Sequence, residues 1–129
     1  MSSAVTDIGK PLANYAPYRR AGDLVLFSGV IAVDGATGRV IRGYDDLPAE
    51  ARADAGQTGE VSVDAKEGPI NAQAWAILNN LRTQVESLGG SLGDVVRLVQ
   101  YFRDLRDFPA YSRLRKRFFP DTPPASTIV

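Results

Sequence analysis

The side chains that could carry out chemistry in this 129-residue chain are carboxylates, hydroxyls and guanidinium groups, because the sequence contains neither cysteine nor histidine. This composition excludes disulfides, thiolate nucleophiles and thiolate metal sites, and it removes the commonest general base and metal ligand. Asp104 and Asp107 are close enough in sequence to form a carboxylate pair for acid–base chemistry. A helix cap at Asp107 and a loop acid at Asp104 explain these residues better.

Motifs for common cofactors are missing from the sequence. Gly35, Gly38 and Gly43 do not form a dinucleotide fingerprint, and no glycine run ends in Gly-Lys-Ser/Thr. The acids between Tyr44 and Glu67 lack the alternating spacing of a calcium loop. We therefore expect neither a metal nor a cofactor.

The formal net charge is zero, but the charges are segregated along the chain. Acids dominate from Tyr44 to Glu67, and bases dominate from Arg97 to Arg117. Two solvated faces would explain this pattern, and so would a basic patch that meets either an acidic ligand or another subunit's acidic loop. A nucleic-acid interface is not favoured, since one basic helix on a neutral chain is a weak signal.

Two strands are expected in the first third of the chain. Asp23 to Asp34 is rich in β-branched and apolar residues, and a shorter strand around Val40–Ile41 would complete a hairpin from Leu24 to Ile41. Ser28–Gly29 interrupts the first strand and indicates a bulge or the close approach of a ligand or another backbone. The segment from Tyr44 to Gly68 is long for a connection, so we expect a surface excursion with one helical turn at Pro48–Ala53.

The remaining elements alternate between helix and strand. A helix beginning at Pro69 and ending at Gly89–Gly90 is predicted by apolar residues at helical spacing, which are Ile70, Ala74, Ile77, Leu81, Val85 and Leu88. A strand over Asp94–Phe102, a helix from Asp107 to Phe118 and a last strand from Ser126 follow. This order predicts a single α+β domain over residues 1–129, with a βαβ crossover and a mixed sheet that carries both helices on one face. The sequence has no apolar segment of the ~20 residues that a membrane span requires, which favours a cytoplasmic protein.

Several stretches together resemble the Rid family, the YjgF-type reactive intermediate deaminases that are also called L-PSP endoribonucleases. They are Tyr15 and the following RRAGDLVLFSGVIAVDGATGRVI, then QAWAILNNLRTQVESLGGSLGDVVRLVQYFRDLRDFPAYSRLRKRFF, and PPAST near the end. The resemblance covers nearly the whole chain except the 44–68 segment, which it marks as an insertion. The order and spacing of Ser-Gly, Asn-Asn-Leu, Gly-Asp-Val-Val and Asp-Phe carry it jointly.

The resemblance implies a chorismate-mutase-like fold and a homotrimer whose sheets surround a central barrel. It also implies small-molecule ligand clefts between adjacent subunits. Active members of the family hydrolyse enamines and imines, such as 2-aminoacrylate, to ammonia and a keto acid without a cofactor. An imine carbon is already electrophilic, so positioning the substrate and one water supplies much of the rate acceleration.

Four residues match positions that line the family's ligand cleft. Tyr15 corresponds to a tyrosine that reaches into the cleft, and Ser28 and Gly29 to a Ser-Gly pair whose backbone approaches the ligand. Ser112 stands where many members have an asparagine. Tyr101 and Phe102 are candidates for a wall of the cleft, and a place in the strand core explains them equally well. The resemblance assigns no catalytic residue in this chain.

Ala125 is the main departure from the family pattern. Deaminating members read Pro-Ala-Arg-Ser/Thr where this chain has Pro123-Pro124-Ala125-Ser126-Thr127, and their arginine binds the substrate carboxylate. Alanine offers no hydrogen-bond donor for that role. The family also continues into a further strand that bears a glutamate, which leads us to expect that a C-terminal strand is missing from the 129 residues.

Three functions follow from the sequence. The first is hydrolytic deamination of a reactive enamine or imine by a homotrimer. The second, favoured by Ala125, is a non-catalytic trimer of the same fold that binds a small molecule. The third is an endoribonuclease, which we place lowest because the chain has no histidine to act as a base.

Overall fold

The computed structural model describes residues 11–129, and this part of the chain forms four short strands and three α-helices. The strands are β1 (Tyr18–Ala21), β2 (Leu24–Phe27), β3 (Arg97–Gln100) and β4 (Ala125–Ile128). The helices are α1 (Ala49–Arg52), α2 (Val61–Ser87) and α3 (Phe108–Phe118), and single 3₁₀ turns occupy Tyr44–Asp46, Leu92–Asp94 and Leu105–Asp107. The α+β class predicted from the sequence is confirmed. Among these helices, none is both long and apolar enough to cross a membrane.

Strand β2 pairs with the segment before it rather than with the one after it. Strands β1 and β2 form an antiparallel hairpin in which Ala21 faces Leu24, and Gly22 takes the positive φ of 61° that this two-residue turn needs. The predicted hairpin from Leu24 to Ile41 is therefore wrong for β2. Its end near the turn is present, since Val33 and Val40 form an antiparallel bridge and the Ile41 N–H donates to the carbonyl of Ala32 at 2.9 Å. The ladder ends at Phe27.

Helix α2 begins at Val61, well before the predicted start at Pro69, which lies inside the helix. The side chain of Asp64 fixes this earlier start, because it accepts hydrogen bonds from the backbone N–H groups of Thr58 and Gly59, each at 2.9 Å. At the other end Gly89 has a φ of 86° and terminates the helix as predicted.

The segment from 44 to 68 contributes to the hydrophobic core, which corrects the expectation of a surface excursion. Its buried side chains are those of Tyr44, Leu47, Ala51 and Ala55. The ring of Tyr44 packs against α2 at Gly68, where a Cβ would lie 3.2 Å from the ring atom Cε2. These residues recur at helical intervals of three, four and four, but two of them are alanines among acidic residues, so the prediction did not recognise that they are buried.

The unit β3–α3–β4 is a parallel crossover, as predicted. Arg97 faces Ala125 and Gln100 faces Ile128 along the parallel pair, and α3 packs against α2 with Tyr111, Leu114 and Phe118 buried. Within residues 11–129 the pairs β1–β2 and β3–β4 are separate two-stranded sheets. The single mixed sheet of the prediction is thus divided in the described chain, because β2 stops after four residues.

Candidate functional site

Tyr15, Ser28 and Gly29 lie together in a cleft of about 120 Å³ near the end of β2. Two hydrogen bonds hold the chain in this arrangement. The backbone N–H of Ser28 donates to the carbonyl of Pro17 at 2.9 Å, and the Ser28 hydroxyl donates to the carbonyl of Ala16 at 2.6 Å. Ser28 therefore positions the segment that carries Tyr15, and its backbone leaves the ladder where the sequence predicted an interruption.

The cleft also has a polar lining from helix α2 and from the loop after β2, which the sequence reasoning missed. Asn80 and Gln84 line it from one face of the helix, and the Gln84 side-chain N–H donates to Asn80 Oδ1 at 2.7 Å. Gln84 is only 8% exposed, and its Oε1 atom is buried without a hydrogen-bond partner among the described residues. An available sequence signal was the polar run Asn79–Asn80, which directly follows the apolar stretch Ala74–Leu78.

Asp34 is the only residue with a charged side chain in the described lining of this cleft. Its Oδ1 atom accepts a hydrogen bond from the backbone N–H of Ala36 at 2.9 Å, which fixes the carboxylate against the following turn. Neither lysine nor arginine lines the described cleft. A ligand carboxylate placed here would therefore find no cation from the described part of the same chain.

Tyr101, Ser112 and Ala125 lie outside this cleft. Tyr101 follows β3 and is 79% exposed, Ser112 is half-buried on α3, and Ala125 is the exposed first residue of β4. One chain thus brings together Tyr15, Ser28 and Gly29 but not the other predicted ligand-binding residues. That all of them form one site stays a prediction about an assembly of several chains.

A polar network joins α3 to the β3–β4 pair next to Ala125. The Oε1 atom of Gln100 accepts hydrogen bonds from the Tyr111 hydroxyl and from Arg115 Nη1, both at 2.6 Å. Arg115 Nη1 also donates to Ser126 Oγ at 2.7 Å, and its guanidinium lies 5.3 Å from the centre of the Tyr111 ring. On β3, Arg97 Nη2 donates to Thr127 Oγ1 at 2.8 Å.

The acidic segment and the basic helix meet within one chain. Arg113 pairs with Glu67, and Arg117 pairs with Asp54 at 3.6 Å. The Arg117 guanidinium also donates to the backbone carbonyl of Asp54 at 2.7 Å. Two of the bases that could have faced a nucleic acid are therefore engaged with acids of the same chain.

The two carboxylates considered for acid–base chemistry, Asp104 and Asp107, do not form a pair with each other in hydrogen bonding. Asp104 accepts hydrogen bonds from the side chain and the backbone N–H of Arg106, and the side-chain bond is the main reason that the pKa of Asp104 is lowered. Asp107 stands at the N-cap position of α3, as predicted, but its side chain makes no capping hydrogen bond. Within residues 11–129, no three acidic side chains converge in a way that would hold a metal ion.

Comparison with known proteins places the chain in a family. The family model described as Endoribonuclease L-PSP matches residues 53–129. A solved structure of a candidate endoribonuclease from Klebsiella pneumoniae is 53% identical, with a TM-score of 0.85 over 89% of this chain and 84% of that chain. A RutC family protein from Pyrococcus abyssi is 26% identical over 120 residues, which cover 93% of this chain and 75% of the relative.

A shorter match connects the chain to a protein named for its substrates. A 2-iminobutanoate/2-iminopropanoate deaminase from Dermatophagoides farinae is 36% identical over 62 residues, or 48% of this chain and 48% of the relative. The chain therefore belongs to the Endoribonuclease L-PSP family, which is the Rid/YjgF family that the sequence resembles.

Proposed function

We propose that this protein hydrolyses the C=N bond of small reactive imines, and of enamines through their imine tautomers. The observation that carries the proposal is the cleft at Tyr15, Ser28 and Gly29, lined by the amides of Asn80 and Gln84. Its volume of about 120 Å³ is several times the ~10–15 Å³ of cavity volume that one water needs, so it has space for a small molecule. The name of the relative from Dermatophagoides farinae, an iminobutanoate/iminopropanoate deaminase, supports the same chemistry.

The reaction asks little of the protein in acid–base strength. Water adds to the imine carbon to give a carbinolamine, whose C–N bond then breaks to release ammonia and leave a carbonyl group. Holding the imine and one water in contact can supply much of the acceleration, because it converts an encounter of two molecules into a reaction within one complex. The absence of histidine and cysteine from the sequence is therefore compatible with the proposed activity.

Two of the polar side chains that line the described cleft present hydrogen-bond acceptors to such a reaction. Gln84 Oε1 is buried without a donor, and the carboxylate of Asp34 has one oxygen bound to the Ala36 N–H. The second oxygen of Asp34 can orient the attacking water or bind the N–H of the imine, whereas Gln84 Oε1 can do so only when its amide turns toward the cleft. These groups would have a positioning role at the proposed reaction centre.

We further propose that the protein works as a homotrimer with its ligand between subunits. The outward sides of the strands expose large apolar residues that a folded monomer would normally cover, namely Leu24, Leu26 and Val99. Contact between copies of the chain would bury these side chains. The same contact would place the edge at Ala125 of one subunit near the cleft of its neighbour.

Endoribonuclease activity is the second candidate, because the family description and the Klebsiella relative both carry that name. RNA cleavage usually needs a general base to activate a hydroxyl, and this chain contains no histidine. The pairing of Arg113 and Arg117 with acids further reduces the positive charge available for a phosphate backbone.

The proposal is tested by following ammonia release from imines generated in the assay from several amino acids by an amino-acid oxidase. We expect the protein to accelerate decay of at least one imine. Binding of small ligands without any acceleration would instead support the non-catalytic trimer. Cleavage of single-stranded RNA by the same preparation, with every imine decaying at its spontaneous rate, would support the nuclease.

A further inference from the structure

We propose that Arg97 is an anion-binding residue and that its ligand is the carboxylate of a small imino acid or keto acid. That this ligand is an imino acid rests on the proposed function. The site lies on the exposed face of the β3–β4 pair, beside the first residue of each strand.

Arg97 is fixed in place but has no acidic partner. Arg106, Arg113 and Arg117 form ion pairs with acids, whereas Arg97 donates to the neutral hydroxyl of Thr127 at 2.8 Å and has no carboxylate within ion-pair distance in the described chain. That one bond engages Nη2, so the remaining N–H groups of the guanidinium are available. A preoriented guanidinium with free donors is suited to bind a carboxylate through two parallel hydrogen bonds.

The residue opposite Arg97 leaves room for such a ligand. Arg97 faces Ala125 in the parallel register, and directly opposed residues project from the same side of the pair. Alanine extends only one methyl group from β4, so its side chain does not fill the space beside the guanidinium. By contrast, Arg115 approaches β4 at Ser126 and uses Nη1 for Gln100 and Ser126.

The surroundings of Arg97 match a short aliphatic acid. Val99 lies two residues further along the same side of β3, is 45% exposed and offers an apolar surface to an alkyl group. The cleft at Tyr15 has no cation in its described lining, so a carboxylate substrate needs a positive group from elsewhere. In the proposed trimer, Arg97 of a neighbouring subunit would supply it.

The test is binding of 2-oxobutanoate, the stable keto acid product, measured by calorimetry against its uncharged primary amide. We expect the wild-type protein to prefer the acid, and Arg97→Ala to weaken acid binding about ten- to a hundredfold while leaving amide binding unchanged. Arg97→Lys should retain part of the preference, since it keeps the charge but loses the planar fork.

Two further variants separate a local effect from a general one. Lys116→Ala removes one positive charge from an exposed position on α3 and should change neither affinity. The double variant Arg97→Ala/Ala125→Arg returns a guanidinium to the facing position and should restore acid binding. The proposal would be overturned if Arg97→Ala, at an unchanged melting temperature, still bound 2-oxobutanoate more tightly than its amide. It would also be overturned if the wild-type protein bound the two ligands equally well.

These outcomes are distinct from failure of the proposed function. If no imine is hydrolysed but acid binding falls in Arg97→Ala, the anion site stands and the deaminase proposal fails. If imino acids are hydrolysed with the same KM by wild type and Arg97→Ala, the deaminase proposal stands and the anion site is wrong.

Discussion

Tyr111 is buried, makes a side-chain hydrogen bond and lies next to the positive charge of Arg115. Its hydroxyl donates to Gln100 Oε1, an atom that Arg115 also uses, so it connects α3 to β3. Burial raises the pKa of Tyr111 above its ordinary value near 10, and the neighbouring Arg115 offsets this only in part. Tyr111 therefore remains a neutral donor at physiological pH.

Replacing Tyr111 with phenylalanine should lower the free energy of unfolding by about 1 kcal/mol at pH 7, because one hydrogen bond is lost. Above pH 10 the unfolded tyrosine ionises while the folded one keeps its proton, so wild-type stability falls from pH 10 upward through the raised folded pKa. The variant should lack this part of the decline. Urea unfolding at pH 7 to 11 measures both effects.

Tyr101→Phe is the control for this experiment, since Tyr101 is 79% exposed and its hydroxyl makes no hydrogen bond in the described chain. It should behave like the wild type over the whole pH range. A Tyr111→Phe variant whose stability declined with pH as steeply as the wild type would contradict the account of Tyr111.

At the residue scale, the sequence located one part of the candidate site and missed another. Tyr15, Ser28 and Gly29 were predicted from the family resemblance, and the structure places them in one cleft. Asn80 and Gln84 were missed because polar residues on a helix are normally assigned to its solvent side. Only the packing of the loop after β2 against α2 shows that these amides are covered.

Among the elements, the segment before α2 owes its position to close packing around Tyr44. Asn71 Nδ2 donates to the Tyr44 hydroxyl at 3.0 Å, and Gly56 lies against both groups with a φ of 110°. A Cβ at Gly56 would stand 2.9 Å from Asn71 Nδ2. This contact leaves no room for a larger residue at position 56.

Gly56→Ala should therefore lower the free energy of unfolding by about 2 to 4 kcal/mol, through backbone strain together with displacement of Asn71. Gly59→Ala is the matched control, because Gly59 also has a positive φ, 86°, but a Cβ there would meet no atom within 4 Å. In the control, backbone strain alone should lower the free energy of unfolding, by about 1 kcal/mol. Equal losses for the two variants in urea unfolding would show that the contact with Asn71 is unimportant.

The elements that could be predicted are those with regular apolar spacing and clear end signals. Helix α3 has Pro109 in its first turn and apolar residues at helical spacing, and β3 has a nearly continuous apolar sequence. Strand β1 was missed because its sequence, YRRA, has no apolar alternation and all four residues are exposed. The first turns of α2 were missed because they are held by contacts with the preceding segment, namely the hydrogen bonds of Asp64 and the packing of Tyr44 on Gly68.

For the whole molecule, the exposed apolar sides of the strands carry the proposal of a trimer. Leu26 is 58% exposed in the middle of this surface. Leu26→Lys places a charge where the proposed contact would bury it, and a buried unpaired charge is costly. We expect light scattering to give the mass of three chains for the wild type and a lower mass for the variant.

Val61→Lys is the control for this prediction, because Val61 is 82% exposed at the beginning of α2, away from the strands. It should keep the wild-type mass. A wild-type protein with the mass of a single chain would contradict the trimer, and so would a Leu26→Lys variant that assembles as the wild type does.

In the proposed function, imine hydrolysis takes place in the cleft at Gly29. A Cβ at Gly29 or at Gly43 would meet no atom within 4 Å, so a side chain can leave the backbone at both positions without a clash, but only Gly29 lines the cleft. The most direct measurement is the rate at which 2-iminobutanoate disappears with wild type, Gly29→Val and Gly43→Val, all at equal melting temperature. We predict acceleration by wild type and Gly43→Val and the spontaneous rate with Gly29→Val. Equal rates for all three proteins would contradict the claim.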